Sequence, residues 1–152
     1  METLKQLGWL YLDPISIAPD GASPQRQTFG DAILNKRLEA AVRKLNDHLP
    51  EDALESAIRQ VLNTDKPDLT QENRRLHKLI TDGVGVEYSG PDGSILNDRV
   101  WLVDFRKPEN NDWVVTNQFT ITENGRQRRP DVVCFLNGLP IAVLELKNAA
   151  SE

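Results

Sequence analysis

Asp131, Glu145 and Lys147 have side-chain types and spacing that could do chemistry. Glu145 and Lys147 are two apart, so on a strand both side chains project from the same face. Asp131 opens the apolar run DVVCFLN, and Glu145 and Lys147 close the run IAVLELK. Two carboxylates meeting at one point form a hard-oxygen site suited to Mg²⁺, which takes one or two carboxylates and keeps several waters. A lysine beside them can orient or help deprotonate an attacking water and stabilise negative charge on a phosphate. Together these groups describe metal-assisted hydrolysis of a phosphodiester.

Geometry sets a condition on this chemistry. A two-residue Asn137-Gly138 loop pairs Leu136 with Leu139 and sets Asp131 opposite Leu144, pointing away from Glu145. A three-residue loop pairs Leu136 with Pro140 and sets Asp131 opposite Glu145. The metal site therefore requires the longer loop, or a bulge that shifts the parity; a regular two-residue hairpin excludes it. The alternative reading is structural, with Asp131 a turn acid and Glu145 and Lys147 an exposed pair where the sheet runs out. D-x₁₃-E-x-K is met by chance in many sequences. Context adds weight, because an ionisable residue on a strand apolar on both faces is costly unless functional or paired. Pro130 also fixes the entry to the strand.

The elements that must position these residues divide into a helical part and a strand part. Residues 1–29 read as an N-terminal strand and connector, with three prolines in LDPISIAPDGASPQRQT. Residues 30–83 are helical. Ile33, Leu34, Leu38, Ala41, Val42 and Leu45 fall at helical spacing from Asp31 to about Asn46. A second helix follows Pro50, whose missing N–H costs nothing in a first turn and whose next residues, Glu51 and Asp52, suit the helix dipole. A third runs from near Asp68 and stops at Gly83.

Residues 84–152 change to a period of two. VGVEY and ILNDRVWLVDF flank a turn at Pro91 to Gly93, WVVTNQFTIT rises to Asn124-Gly125, and DVVCFLN meets IAVLELK through Asn137-Gly138. IAVLELK, apolar on both faces, is expected in the middle of a sheet, covered on each side. The fold class is α/β in the α+β sense: one domain with N-terminal helices packed on a mixed, largely antiparallel sheet. Trp9, Trp101 and Trp113 are expected in the core.

Composition narrows the class further. A chain of 152 residues can bury roughly 70% of its unfolded surface as one domain. Hydrophobic content of 39% and charged content of 27% describe an ordinary globular protein. A net charge of −5 gives no whole-molecule attraction to nucleic acid, so DNA binding needs a local basic patch or metal ions. Arg126, Arg128 and Arg129, just before Asp131, form such a patch; a solvated turn is the competing reading. Cys134 has no partner cysteine and reads as a small buried core residue in a reduced, cytoplasmic setting. No apolar stretch is long enough for a transmembrane helix, and no signal peptide is visible. His48 and His77 lack partners at zinc-ligand spacing.

RRPDVVCFLNGLPIAVLELKN closely resembles the nuclease motif of the restriction subunit of type I restriction-modification systems, whose N-terminal domain belongs to the PD-(D/E)xK nuclease superfamily. The resemblance extends through NRRLHKLITDGVGVEY (73–88) and VDFRKPENNDWVVTNQFTI (103–121). It implies a restriction-endonuclease-like fold and a type I site-specific deoxyribonuclease cutting duplex DNA. Asp131 and Glu145 would be the Mg²⁺-binding carboxylates and Lys147 the catalytic lysine. Gln118, in the NQFT stretch, is a candidate DNA contact beside the three arginines. Nucleases of this superfamily often add an acid from the first core helix, for which Glu39, Glu55 and Glu72 are candidates.

The resemblance also implies partners. In the family, methyltransferase and specificity subunits complete the complex, and the full-length subunit carries an ATP-driven DNA translocase. No G-x-x-x-x-G-K-[ST] occurs in this sequence, so ATP belongs to that longer part. The family's nuclease core continues after Glu-x-Lys with a helix and a strand. This chain therefore reads as a fragment lacking the C-terminal part of the core, expected to cut DNA weakly or not at all alone. Two other readings remain open: a non-catalytic docking or DNA-binding fragment with the nuclease fold, and a stand-alone repair nuclease of the superfamily.

Overall fold

A computed structural model describes residues 1–63 and 68–146. The helices are α1 (Glu2–Gln6), α2 (Asn35–Leu45), α3 (Glu51–Leu62) and α4 (Leu69–Asp82). The strands are β1 (Leu10–Tyr11), β2 (Val84–Ser89), β3 (Ile95–Val100), β4 (Trp113–Asn117), β5 (Ile121–Glu123), β6 (Arg126–Arg128), β7 (Val132–Leu136) and β8 (Leu139–Leu144). The fold is mixed α+β. It packs as two compact units, Met1–Arg37 with Asp112–Glu152, and Leu38–Asn111. Packing thus groups the chain differently from element type: the helical stretch 30–83 and the β-rich stretch 84–152 are each shared between the units.

The first unit is built on a four-stranded sheet in the order β1-β4-β7-β8. β1 runs parallel to β4, while β4–β7 and β7–β8 are antiparallel. β7 is buried at all of its positions because it has a neighbour on each side and cover on each face. Val114, Val133 and Phe135 pack with Ile17, Leu34 and Phe119 on one face. Val115, Val132 and Cys134 pack with Leu4, Trp9 and Tyr11 on the other. Phe119 meets Phe135 edge to face at 5.2 Å, and Trp9 meets Trp113 in the same way at 5.1 Å.

The central strand apolar on both faces is therefore β7, where IAVLELK was expected. Among the described residues β8 is an edge strand, and Ile141, Val143 and Leu144 are exposed. Its hydrophobicity does not decide its place; among the described residues it has a hydrogen-bonded neighbour on one side only.

Other departures have local causes. The N-terminal stretch contains α1 besides the short β1. WVVTNQFTIT is two strands, broken at Gln118, whose φ of 50° lies in the left-handed region. In the second unit, ILNDRVWLVDF ends as a strand at Val100. Asn46, fully buried, takes over: its Nδ2 donates to the Trp101 carbonyl at 2.9 Å and its Oδ1 accepts the Trp101 N–H at 2.8 Å. One side chain thus satisfies both backbone groups of Trp101 in place of a ladder partner. The Trp101 ring is exposed rather than in the core.

Within that second unit, α3 lays Ala53, Leu54, Ala57, Ile58 and Val61 inward and packs on the β2–β3 hairpin. α4 starts at Asp68, whose carboxylate accepts the Gln71 N–H at 2.8 Å. It ends at Gly83, whose φ of 75° a side chain would resist. α2 begins at Asn35, later than its apolar spacing suggests, because Leu34 is spent on the first unit's core and its N–H donates to the Gly138 carbonyl at 2.9 Å.

Candidate active site

The site is assembled where β7 begins and β8 ends. The Asn137-Gly138 loop has two residues, both at positive φ (52° and 81°), as the tight twisted hairpin turn requires. It pairs Leu136 with Leu139 and Phe135 with Pro140. Continued regularly, that register would turn Asp131 away from Glu145. It does not continue. The register shifts between Cys134 and Phe135, Ile141 is passed over, and the ladder resumes as Cys134–Ala142, Val133–Val143 and Val132–Leu144. Continued one step past its last pair, Val132–Leu144, this register would set Asp131 opposite Glu145. A β-bulge supplies the one-residue offset the metal site requires.

On its other side Asp131 adjoins Gln118. β4 pairs with β7 as Asn117–Val132, so the same extension places Gln118 across from Asp131. The Gln118 N–H donates to the Asp131 carbonyl at 3.0 Å, and Gln118 Nε2 donates to Asp131 Oδ1 at 3.1 Å. Asp131 Oδ2 accepts the Leu146 N–H at 2.7 Å. Asp131 is half-buried and Glu145 exposed. Gln118 and Asp131 are therefore neighbours just past the ends of β4 and β7, and the continued β7–β8 register would add Glu145 to the same row.

Lys147 lies outside the described residues. Arg126 and Arg128 on β6, with Arg129 after it, are exposed, and no ion pair engages them among the described residues. The β5–β6 hairpin carries this patch directly into Pro130 and Asp131. Glu39, Glu55 and Glu72 belong to the second unit and pair with arginines of their own helices. Glu39 meets Arg43 at 3.4 Å, Glu55 meets Arg59 at 3.6 Å, and Glu72 meets Arg75 at 2.6 Å.

The donor set fits Mg²⁺ in kind. Carboxylates are hard oxygen ligands, and an exposed edge leaves room for the waters that ion retains. Among the described residues, each Asp131 oxygen receives one hydrogen bond and has a further lone pair to offer. No cluster of three or more His, Cys, Asp or Glu side chains at metal-binding distance occurs among the described residues. Cys134, buried on β7, has its thiol pushed up by burial, the opposite of a reactive thiolate.

The Gln118–Asp131 relationship was accessible in principle. An antiparallel partner for DVVCFLN in WVVTN would have set Gln118 against Asp131, but which strand pairs with which is not written in local periodicity. No described helix is long and apolar enough to cross a membrane.

Across all of residues 1–152 the chain matches the family model described as "Type I restriction enzyme R protein N terminus". It is 37% identical over 153 residues to the "Type I restriction enzyme HindI endonuclease subunit" of Haemophilus influenzae, aligning over 100% of this chain and 14% of that subunit. It is 34% identical over 155 residues to the "Putative type I restriction enzyme MjaIXP endonuclease subunit" of Methanocaldococcus jannaschii, over 100% of this chain and 15% of that protein. The chain thus spans about one seventh of the length of these relatives, and it belongs to the family of N-terminal regions of type I restriction enzyme R proteins.

Proposed function

We propose that this chain is the metal-dependent endonuclease module of a type I restriction subunit, hydrolysing phosphodiester bonds of duplex DNA. The observation that supports the reading is the bulge at Ile141, whose shifted register, continued one step past Val132–Leu144, would bring Asp131 opposite Glu145 despite a two-residue turn. Asp131 and Glu145 would hold Mg²⁺, and Lys147 would position the attacking water or the charge developing on the phosphate. The ion, when bound, lowers the pKa of a water and neutralises phosphate charge. Arg126, Arg128, Arg129 and Gln118 are the proposed DNA contacts. Methyltransferase and specificity subunits are the proposed partners, and an ATP-driven translocase is proposed for the full-length subunit.

The test is substitution in a full-length restriction subunit. Asp131→Ala, Glu145→Ala and Lys147→Ala should each abolish DNA cleavage while ATP hydrolysis persists. Wild-type cutting by the Lys147→Ala subunit would overturn that residue's role.

A second reading keeps the fold without catalysis, as a docking or DNA-binding module. The hydrogen bonds to both Asp131 oxygens favour it, since they also describe a carboxylate that merely ties strand ends together. Metal titration separates the two: a docking module need not bind Mg²⁺ or Mn²⁺ at Asp131 and Glu145.

A further inference from the structure

We propose that Gln118 is a positioning residue that aims the Asp131 carboxylate at the bound cation, an inference that rests on the metal-site reading above. Three features converge on it. Gln118 holds φ at 50°, a conformation that is uncommon for a residue with a side chain. The conformation is imposed from the next residues: Phe119 is buried at 1% exposure against Phe135, under the Arg26 guanidinium at 4.0 Å. Arg26 also donates to the Thr120 carbonyl, Nη2 to O, at 2.5 Å. Anchored in this way, the bend turns the backbone N–H and the side-chain amide N–H of Gln118 onto a single residue. Its N–H takes the Asp131 carbonyl and its side-chain amide takes Oδ1.

The chemistry of the amide suits this task. With Oδ2 held by the Leu146 N–H, the Gln118 amide fixes the plane of the carboxylate, so its remaining lone pairs have a set direction. A lysine or arginine there would orient the carboxylate equally well but would neutralise the charge that attracts a cation. Glutamine orients without neutralising. Groups that orient metal ligands in this way typically contribute about 10–100-fold to metal affinity.

The experiment uses Mn²⁺ as the probe, with affinity read by calorimetry and by electron paramagnetic resonance on the purified chain. Gln118→Gly is the decisive variant, because glycine accepts positive φ without strain and removes only the side chain. The relief of positive φ offsets the lost amide bond, so its thermal midpoint should stay close to wild type, while Mn²⁺ affinity falls about tenfold or more. Gln118→Asn also tolerates the bend but is one methylene shorter, and its affinity should fall with the glycine variant's. A Gln118→Gly chain that binds Mn²⁺ like wild type overturns the proposal and leaves glutamine only a bend-former. If wild type and Asp131→Ala bind Mn²⁺ equally, the metal site itself fails, and this proposal with it.

Discussion

The backbone N–H of Leu146 donates to Asp131 Oδ2 at 2.7 Å. This bond crosses from the residue after Glu145 to the residue before β7, so it ties the two strands together one step beyond their ladder. Asp131 therefore has a structural task whatever else it does, and the two tasks can be measured apart.

Asp131→Ala removes the acceptor for both Leu146 and Gln118, groups that water can reach, and should cost about 0.5–1.5 kcal/mol of stability. Asp131→Asn keeps one acceptor oxygen and adds a donor, which Gln118 can meet by turning its amide so that its own oxygen accepts. The asparagine variant should therefore be closer to wild type in chemical denaturation, while losing cation affinity as fully as alanine. Equal destabilisation by both would deny Asp131 the strand-tying role.

Deleting Ile141 should leave the candidate site in place. The residue is 44% exposed, and its removal turns the bulged strand into a regular one with every other pair unchanged, Val132–Leu144 included. Mn²⁺ affinity should stay within about threefold of wild type, a difference under 1 kcal/mol. Loss of binding in a folded deletion variant would mean that the bulge does more than set the count.

The basic patch predicts a salt dependence. Every phosphate that the protein ceases to neutralise makes the slope of log K against log salt shallower by about 0.9. Arg126→Gln, Arg128→Gln and Arg129→Gln combined should flatten that slope for a short duplex, measured by fluorescence anisotropy. An unchanged slope would return the three arginines to the solvated-turn reading.

Cys134 predicts slow chemistry. Burial pushes its thiol up, so the thiolate is scarce in the folded chain at neutral pH, and labelling by a thiol reagent should follow unfolding. The sign for stability follows. A thiol whose folded pKa exceeds its unfolded value, about 8.5, leaves stability intact below that pH and erodes it as pH rises through the folded value. Rapid labelling under native conditions would contradict the burial.

How far the sequence revealed this arrangement depended on which force decided each element. α3 and α4 were legible because an apolar stripe, a capping Asp68 and a terminating Gly83 act locally and agree. The break at Gln118 was not, because nothing in WVVTNQFTIT announces it; the anchoring of Phe119 by Phe135 and Arg26 comes from distant parts of the chain. The end of β3 at Val100 was hidden for the same reason, since Asn46 supplies the competing hydrogen bonds from another element. At the site, parity arithmetic on the Asn137-Gly138 loop could state that a bulge was needed. It could not place that bulge at Ile141, which is a matter of how an exposed edge accommodates an extra residue.

The edge itself gains a property from the way β8 is made. Ile141, Val143, Leu144 and Leu146 expose a greasy rim that would ordinarily invite a foreign strand to add itself. Pro140 has no N–H to offer such a strand, and one residue later the bulge breaks the regular spacing of the backbone groups. The rim can still adhere by its side chains, but the start of β8 is a poor template for growing a sheet. The offset that the metal reading calls for thus also serves as a guard against amyloid-like addition.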